Sequence, residues 1–353
     1  MISAVFVSYR SAALAKGAIA SFREEARRAG LEAETVAVVN SGDPAERDTL
    51  VPSADRVLLP DRNLGYAGGL NAGVSAARGG TLLLANPDLV FCAGSVAPLV
   101  AAAEGAGLVA AGPSFFADGA RSVLLPPTEE ARPEELARRA LAADPARAPR
   151  VFRREARRAA AQAERAAAGT SAEARGLSGA LVAASRATLE AVGPFDEEYP
   201  LYYEENDWQR RLLLRGGRLV HVGASHVVHL FAQSTRKEPR AAAWFAESEA
   251  RYFARHFGDR GRRALARLAS CAPPGGAPLP SARELAWDEP APAAVAVSPY
   301  PNFRPFGLAL VPEGERRWSL PEDIADAHLG ETLYARAFAR ASGATLDEAR
   351  LAG

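Results

Sequence analysis

Short apolar runs alternate with helical patterns through the first hundred residues of the chain. Ser3–Tyr9 is typical of a buried strand, and apolar residues then recur at helical spacing, at Leu14, Ala18, Phe22 and Ala26. The alternation continues with two strands, a small-residue helix and another strand, at Thr35–Val39, Arg56–Leu59, Gly68–Ala77 and Thr81–Ala85. Strands that alternate with helices predict βαβ units, and therefore an α/β fold with a Rossmann-like, mostly parallel sheet covered by helices on both faces.

Between about 118 and 175 the sequence becomes rich in alanine, arginine and proline. Arg150–Ala168 favours a helix, and its arginines are typical of a solvated face. A lid or an acceptor-facing segment is the functional alternative. We therefore expect an insertion here, within the first domain.

Regular patterns resume at Leu177. They predict a strand, two helices, a last strand and a final helix, at Ala180–Ala184, Arg186–Val192, Asp207–Arg215, Arg218–Val222 and Trp244–Phe257. Proline-rich stretches at Pro273–Gly276 and Glu289–Ala294 then indicate a linker. We expect a first domain over 1–260, including the insertion, and a linker with a C-terminal extension of unknown role over 261–353.

The balance of charges narrows the classes of partner. Lys+Arg and Asp+Glu both number 42, so no net charge favours nucleic acid, and a small or neutral substrate fits better. Cys92 and Cys271 are too far apart in sequence to indicate a disulfide framework or a zinc site. The first apolar run is too short for a signal peptide, and no run reaches the roughly 20 apolar residues of a membrane span. We expect a cytoplasmic protein, with peripheral association at the inner face of the membrane still open.

Polar side chains follow four successive predicted strands. In an open α/β sheet such strand ends lie along one rim, where ligands bind. Any one of these clusters alone would be an ordinary polar loop, but their joint placement predicts a binding site. The residues are Ser8, Tyr9 and Arg10, then Asn40–Asp43, then Asp61–Asn63, and then Asn86–Asp88.

Asp88 is the sharpest single candidate on this rim, because it follows the apolar strand and the turn at Pro87. A carboxylate there can bind Mg²⁺ or Mn²⁺, which prefer oxygen ligands and can neutralise a diphosphate leaving group. The structural alternative is an acid that caps a helix beginning near Gly94. Spacing alone leaves both interpretations open.

A second cluster of acids occupies Tyr202–Asp207. Three carboxylates within four residues repel one another unless they are solvated or neutralised. The helix dipole accounts for Asp207 as an acid at a helix start. It accounts less well for Glu205, which can act as a general base if the aromatic neighbours make the site partly apolar. An extended segment would turn Glu204 to the opposite side.

Two further segments have structural and functional interpretations. In His226–His229 a strand alternation places the two histidines on opposite faces, and a lone histidine is more often a core residue than a ligand. Gly68–Gly73 lacks the lysine and the spacing of phosphate-binding loops. We interpret its glycines as allowing close packing of a helix on the sheet near the donor.

Taken together, these segments resemble the family 2 inverting glycosyltransferases of GT-A fold, especially their rhamnosyltransferase-like branch. The resemblance covers roughly Ile2 to Phe257 and lapses beyond. The matching segments, in the family's order, are Val5–Tyr9, Val38–Asp43, Asn63–Gly73, Asn86–Asp88, Gly193–Glu197, Tyr203–Asp207 and His229.

The resemblance implies a role for each matching position. Asp88 resembles the last acid of the family's metal motif, and His229 resembles the histidine that completes the metal site; Ser234 and Thr235, which follow shortly, favour His229 over His226. Glu205 aligns with the catalytic base. The donor-binding positions are Ser8, Tyr9, Asn40, Asp61, Asn63, Asn71 and Asn86.

Two residues depart from the family pattern. Glu205 stands where the family usually has Asp, and Asn40 stands where an acid usually contacts the nucleotide base. The first departure bears on catalytic competence and the second on donor identity.

The resemblance implies a metal-dependent, inverting transfer from a dTDP- or UDP-sugar, rhamnose-like or hexose, to a hydroxyl of a glycan or lipid-linked acceptor, as in cell-wall or polysaccharide biosynthesis. A sugar nucleotidyltransferase would need a glycine-rich basic loop that Ser8–Leu14 does not offer. A glycosyltransferase-like binding protein that has lost turnover is the other alternative.

Overall fold

The computed structural model describes residues 1–126, 128–230, 240–271, 279–328 and 331–352. The predicted linker at 273–276 and the residues Ser234 and Thr235 lie outside these ranges. The chain divides into two compact units: unit 1 comprises 1–114, 128–131 and 169–258, and unit 2 comprises 115–127, 132–168 and 259–353. Most of the segment predicted as an insertion in the first domain is therefore part of unit 2, together with the predicted extension.

Unit 1 follows the predicted alternation of strands and helices. Its elements are β1 (Ile2–Ser8), α1 (Ala12–Arg28), β2 (Ala33–Val39), α2 (Pro44–Leu50), β3 (Arg56–Leu58), α3 (Gly65–Ala76), β4 (Thr81–Ala85), β5 (Leu89–Phe91), α4 (Val96–Ala103) and β6 (Val109–Phe116). After the elements of unit 2 that begin with β7 (Val123–Leu124), it resumes with β8 (Ala172–Ala174), β9 (Leu181–Ser185), α7 (Arg186–Val192), α8 (Glu204–Leu214) and β10 (Arg218–His229), and α9 (Ala241–Ala269) begins in it.

The sheet of unit 1 has the order β3-β2-β1-β4-β9-β6. The pairs from β3 to β4 are parallel, and β9 is antiparallel to both of its neighbours. Helices cover both faces, since Phe6 meets Phe22 of α1 whereas Val5 and Val7, which alternate with Phe6, face α3. The predicted α/β fold with a mostly parallel sheet is confirmed.

The glycines of α3 allow the close packing that the sequence analysis predicts. A Cβ at Gly73 would lie 2.2 Å from Val5 Cγ1, and one at Gly69 would lie 2.7 Å from Val7 Cγ1. The helix therefore sits against β1 at a distance that no larger residue permits. This close packing directs the start of α3 to the carboxyl end of the sheet.

Unit 2 contains a run of mostly antiparallel strands in a part of the chain where no further strand was predicted. Its strand order is β11-β17-β16-β13-β14-β7, with β11 parallel to β17 and the described pairs between β17 and β7 antiparallel. The elements are α5 (Pro133–Ala143), α6 (Ala148–Ala167), β11 (Ser281–Ala282), β12 (Glu284–Ala286), β13 (Ala293–Ser298), β14 (Gly307–Leu310), β15 (Arg317–Ser319), α10 (Glu322–Ala327), β16 (Thr332–Ala339) and β17 (Thr345–Ala352).

The prediction that Arg218–Val222 is the last strand is wrong on two counts. β10 itself continues to His229, and β11–β17 follow it. β13 consists of alanine, valine and one serine, and all of its residues are buried. Alanine has a low propensity for strands, so its presence in the sequence did not predict a strand here. The strand forms because both of its faces are buried. No helix of the described chain is long and apolar enough to cross a membrane.

Candidate active site

A cavity of about 550 Å³ opens at the carboxyl ends of β1, β2 and β4 in unit 1. This is the rim on which the sequence places its polar clusters. The start of α8 and the end of β10 complete the walls. Its lining includes Tyr9, Asn40, Asn63, Tyr66, Asn86, Asp88, Gly179, Tyr202, Glu204, Glu205, His229 and Trp244.

Asp88 and His229 meet on one side of this cavity. His229 Nε2 lies 3.4 Å from Asp88 Oδ1, because β10 pairs with β5 so that His229 stands opposite Leu89. Both side chains are almost completely buried, and Asp88 Oδ1 has no hydrogen-bond partner among the described residues. The N-cap of the next helix is Ser95, so Asp88 does not cap it and the structural alternative is wrong.

The pair has the chemistry of a partial divalent-metal site. A buried carboxylate oxygen without a donor needs a cation or a proton to compensate for its desolvation. Mg²⁺ is commonly held by one or two carboxylates while substrate phosphates supply other ligands. In the described ranges, no group of three or more His, Cys, Asp or Glu side chains is placed to hold a metal ion by itself. Asp88 and His229 are thus two side chains of the kinds that bind a divalent metal.

Glu204 and Glu205 line the cavity together, and the extended segment that would have turned Glu204 to the opposite side is not formed. The reason is that α8 begins at Glu204, and residues in a helical turn do not alternate as in a strand. Oε2 of each residue is buried without a hydrogen-bond donor in the described chain. Glu205 Oε1 accepts a hydrogen bond from Asn206 Nδ2 at 3.2 Å, and the two carboxyl groups also hydrogen-bond to each other.

The environment raises the pKa of both acids. Burial, and then repulsion from Glu205, raise the pKa of Glu204 well above its ordinary value. Burial also raises the pKa of Glu205, although backbone hydrogen bonds and the hydrogen bond from Glu204 oppose the shift. The two neighbouring acids together therefore hold a proton more readily than two isolated carboxyl groups would.

The backbone before α8 turns these acids into the cavity. Tyr202 and Tyr203 both have left-handed conformations, with φ of 64° and 67°, which costs on the order of 1 kcal/mol for a residue with a side chain. The segment is held by α9, since Tyr203 donates its hydroxyl to Glu249 at 2.8 Å and Ser248 donates to the Leu201 carbonyl at 2.8 Å. Packing against α9 offsets the strain.

Gly179 makes room for Glu205 on the opposite wall. A Cβ on Gly179 would lie 2.8 Å from Glu205 Cγ. Nearby, the Tyr66 hydroxyl donates to Asn86 Oδ1 at 2.7 Å. Burial and the charges of Glu204, Glu205 and Asp88 raise the pKa of Tyr66 well above its ordinary value, so Tyr66 remains a hydrogen-bond donor.

Asp207 has a different role from its two neighbours. It is fully buried and accepts hydrogen bonds from Arg211 Nε and His256 Nε2, each at 2.7 Å. Burial alone would raise its pKa, but His256 and Arg211 outweigh burial and hold the pKa below its ordinary value. Asp207 is absent from the cavity lining, so its role is to tie α8 to α9.

The predicted donor-binding residues divide into two groups. Tyr9, Asn40, Asn63 and Asn86 line the cavity, whereas Ser8, Asp61 and Asn71 do not.

The three residues outside the lining have other surroundings. Ser8 is buried against Ser11, and Asp61 is exposed. Asn71 binds the backbone of Phe195 through both ends of its amide, at 2.9 Å each, and so anchors α3 to the turn before Asp196. The amide of Asn40 is likewise bound to the backbone, before α3: it accepts a hydrogen bond from the Leu64 N–H at 2.9 Å and donates one to the Gly65 carbonyl at 2.8 Å. In β10, His226 does not line the cavity either.

The lining residues without a role assigned from the sequence include Tyr66, Glu204 and Trp244. Tyr66 lies inside the matching segment Asn63–Gly73, where a tyrosine hydroxyl beside several glycines indicates a candidate site residue. Glu204 was recognised as an acid, but only an extended segment, which would turn its side chain away from Glu205, was considered. Trp244 carried no signal, because only the packing of α9 brings it to the cavity.

The comparisons with known proteins agree with the resemblance over the first half of the site. The family model for glycosyl transferase family 2 matches residues 3–172. That segment includes Tyr9, Asn40 and Asp88 but ends before Glu205 and His229. No curated protein matches the chain at a significant level. The resemblance to family 2 is confirmed for the matched segment, and the rhamnosyltransferase-like branch stays a prediction.

Several solved structures resemble the chain at low identity. The mannosyltransferase PcManGT from Pyrobaculum calidifontis, in complex with GDP-Man and Mn²⁺, is 14% identical with a TM-score of 0.42, over 77% of this chain and 76% of that chain. GalNAc-T7 with UDP, GalNAc and Mn²⁺ is 13% identical with a TM-score of 0.49, over 99% and 71%. Mannosyl-3-phosphoglycerate synthase from Rubrobacter xylanophilus is 16% identical with a TM-score of 0.44, over 74% and 75%. These likenesses are too distant to assign a donor, an acceptor or a metal to this chain.

Proposed function

We propose that the protein is an inverting glycosyltransferase that moves a sugar from a nucleotide-diphosphate donor to a hydroxyl acceptor. The observation that carries the proposal is the convergence of Asp88, His229 and Glu205 on one cavity at the carboxyl end of the sheet. The family match over 3–172 supports glycosyltransferase activity. The cavity volume of about 550 Å³ is within the ordinary range for small-molecule sites.

Asp88 and His229 would hold the divalent ion, Mg²⁺ or Mn²⁺. The orphaned, buried Oδ1 of Asp88 beside the His229 imidazole supports this assignment. When bound, such an ion supplies positive charge that neutralises the leaving diphosphate. The protein contributes the fixed position of the two ligands, which β5 and β10 hold in register.

Glu205 is the proposed general base. As the acceptor hydroxyl attacks the anomeric carbon, Glu205 Oε2 takes the hydroxyl proton and the nucleoside diphosphate departs with the electron pair of the broken bond. A direct displacement of this kind inverts the anomeric centre. Glu204 supports the role, since a protonated Glu204 can donate to Glu205 and keep the latter ionised.

The donor enters beside Tyr9 and the asparagines of the rim. Tyr9 and Asn63 offer a ring and an amide at the strand ends, and Asn86 lies two residues before Asp88. The sugar is proposed to be rhamnose-like or a hexose, on dTDP or UDP, and the acceptor a hydroxyl of a glycan or a lipid-linked glycan. These finer assignments rest on the resemblance. A role in cell-wall or polysaccharide synthesis and action at the cytoplasmic face of a membrane rest on it too.

A thermal-shift panel of nucleotide sugars, with and without Mn²⁺, tests the proposal. At least one donor should raise the melting temperature more with Mn²⁺ than without it, because ligand and metal bind the folded state together. Asp88→Ala should abolish this metal-linked part. Asp48→Ala is the matched control, since Asp48 is an exposed acid outside the cavity. If Asp88→Ala keeps the full Mn²⁺ dependence, Asp88 does not hold the metal.

A further inference from the structure

Unit 2 contains a second cavity, of about 710 Å³, that the proposed transfer does not use. One wall is α6 and the other is the segment around Ala291 together with the turn after β16. Four arginines and one acid line the cavity: Arg154, Arg157, Arg158, Arg340 and Glu164. The other lining residues are small, namely alanines and Pro292. A chain with equal numbers of acids and bases thus concentrates positive charge in one place.

The spacing of the helix arginines brings them onto one face. Arg154, Arg157 and Arg158 stand three and four residues apart, which makes them neighbours on the surface of α6. Like charges at these spacings destabilise a helix unless an anion lies between them. The side chains of Arg154 and Arg157 form no hydrogen bond or ion pair with any residue of the described chain. Their guanidinium groups therefore remain available to a ligand.

Arg340 supplies the facing side of the cavity. Its Nη1 lies 3.1 Å from Glu164 Oε1, which fixes the guanidinium beside α6. Its Nε is buried and has no hydrogen-bond partner among the described residues. A buried donor without an acceptor costs stability, and an anion in the cavity would satisfy it.

The cavity is held open by tight packing of its walls. The Arg340 N–H donates to the Pro292 carbonyl at 2.9 Å, and the Gly343 N–H donates to the Ala339 carbonyl at 2.7 Å. Gly343 has φ of 70°, and a Cβ there would lie 2.6 Å from the Arg153 carbonyl oxygen. The turn therefore rests directly on the backbone of α6, which presets the separation between Arg340 and the helix arginines.

We propose that this cavity binds a phosphate or diphosphate group. Guanidinium groups match the geometry of phosphate oxygens through paired hydrogen bonds. Several of them around small apolar side chains favour a compact, multiply charged anion over a carboxylate or a neutral sugar. The anion is either a free phosphate compound or the headgroup of a lipid.

Pyrophosphate binding measured by calorimetry in EDTA tests the proposal, because EDTA removes metal-linked binding in the unit 1 cavity. Arg154→Gln with Arg157→Gln should weaken binding about tenfold or more, since it removes two charge-assisted contacts. The matched control is Arg150→Gln with Arg165→Gln, which removes the same charge from exposed positions of α6 outside the cavity. The control should bind within about twofold of the wild type.

Vesicles distinguish the two sources of phosphate. Co-sedimentation with phosphatidylglycerol vesicles, but not with phosphatidylcholine vesicles, that depends on Arg154 and Arg157 would assign the anion to a lipid headgroup. Pyrophosphate binding with the same dependence, and no vesicle binding, would assign a free phosphate compound. The proposal is overturned if neither probe binds, or if both double variants weaken binding equally. None of these measurements requires turnover, so they stand apart from the proposed transferase activity.

Discussion

Replacement of Asp207 by asparagine should destabilise unit 1 strongly. The carboxylate is completely buried and holds Arg211 and His256 at 2.7 Å, with Arg255 Nε at 3.6 Å. Asparagine keeps the size but removes the charge, and its amide N–H₂ must face one of these donors. Removing one partner of a buried ion pair costs about 3–5 kcal/mol, because the remaining charge is left uncompensated.

The expected cost gives a measurable shift in melting temperature. A folding unit of this size loses about 2–4 °C per kcal/mol, so Asp207→Asn should melt about 6–20 °C earlier. Thermal unfolding followed by circular dichroism measures the shift, and hydrogen exchange of the α8 amides locates it in unit 1. Because the pKa of Asp207 lies below its unfolded value, the carboxylate contributes full stability above about pH 4, and this contribution is lost as pH falls through the folded pKa.

Asp48→Asn is the matched control. Asp48 also pairs with an arginine, Arg47 at 2.6 Å, but both side chains are largely exposed, so the change should cost less than about 1 kcal/mol. An Asp207→Asn protein that melts like the wild type would refute the account of Asp207 as a buried structural tie. If that same stable variant also lost turnover, Asp207 would be the base.

Three further changes test neighbouring parts of the site. Glu204→Gln should stabilise the protein in urea titrations, and increasingly so as pH rises above the unfolded pKa of Glu204, because the raised pKa makes the folded wild type lose about 1.4 kcal/mol of stability for each pH unit up to its folded pKa. Gly179→Ala should lower kcat at nearly unchanged stability, because the new Cβ displaces the side chain of Glu205. Asn71→Ala should cost about 1–3 kcal/mol in chemical denaturation and leave donor affinity unchanged, because its amide binds the Phe195 backbone.

Each of these expectations has an opposite outcome. A pH-independent effect of Glu204→Gln would mean that Glu204 is not a buried, protonated acid. Full activity in Gly179→Ala would mean that the position of Glu205 is uncritical. A loss of donor affinity in Asn71→Ala at unchanged stability would restore Asn71 to the donor site.

The sequence predicted unit 1 well because its signals are local. The apolar strand β1 and the periodic helix α1 are legible from residues next to one another, and the end of β4 marks Asp88 directly. In unit 2 the helix predicted at Arg150–Ala168 is confirmed as α6, but the strands from β11 onwards were not predicted, since they acquire an interior only by packing with segments far away in sequence. The alanines of β13 illustrate this: they form a strand because both faces are covered, not because alanine favours one.

The site was predicted as a set of residues rather than as a geometry. Asp88, His229 and Glu205 were identified and do line one cavity. The side on which Glu204 lies could not be predicted, because α8 begins at Glu204 and not at Asp207, where the sequence predicted the helix start. Nothing in the sequence shows that Tyr203, directly before α8, adopts a left-handed conformation. The contact of Asn71 with the Phe195 backbone could not be predicted, because the two residues lie more than a hundred positions apart in the chain.

The most direct test of the central claim is turnover by Glu205→Gln. With a donor found in the thermal-shift panel and a hydroxyl acceptor, release of the nucleoside diphosphate should fall by about 10²–10⁴-fold while the Kd for donor stays the same, because a general base acts on the acceptor and not on donor binding. Glu205→Asp, which restores the residue usual in the family that the chain resembles, should recover substantial activity. Near-normal turnover in Glu205→Gln, together with an inactive and stably folded Asp207→Asn, would contradict the account.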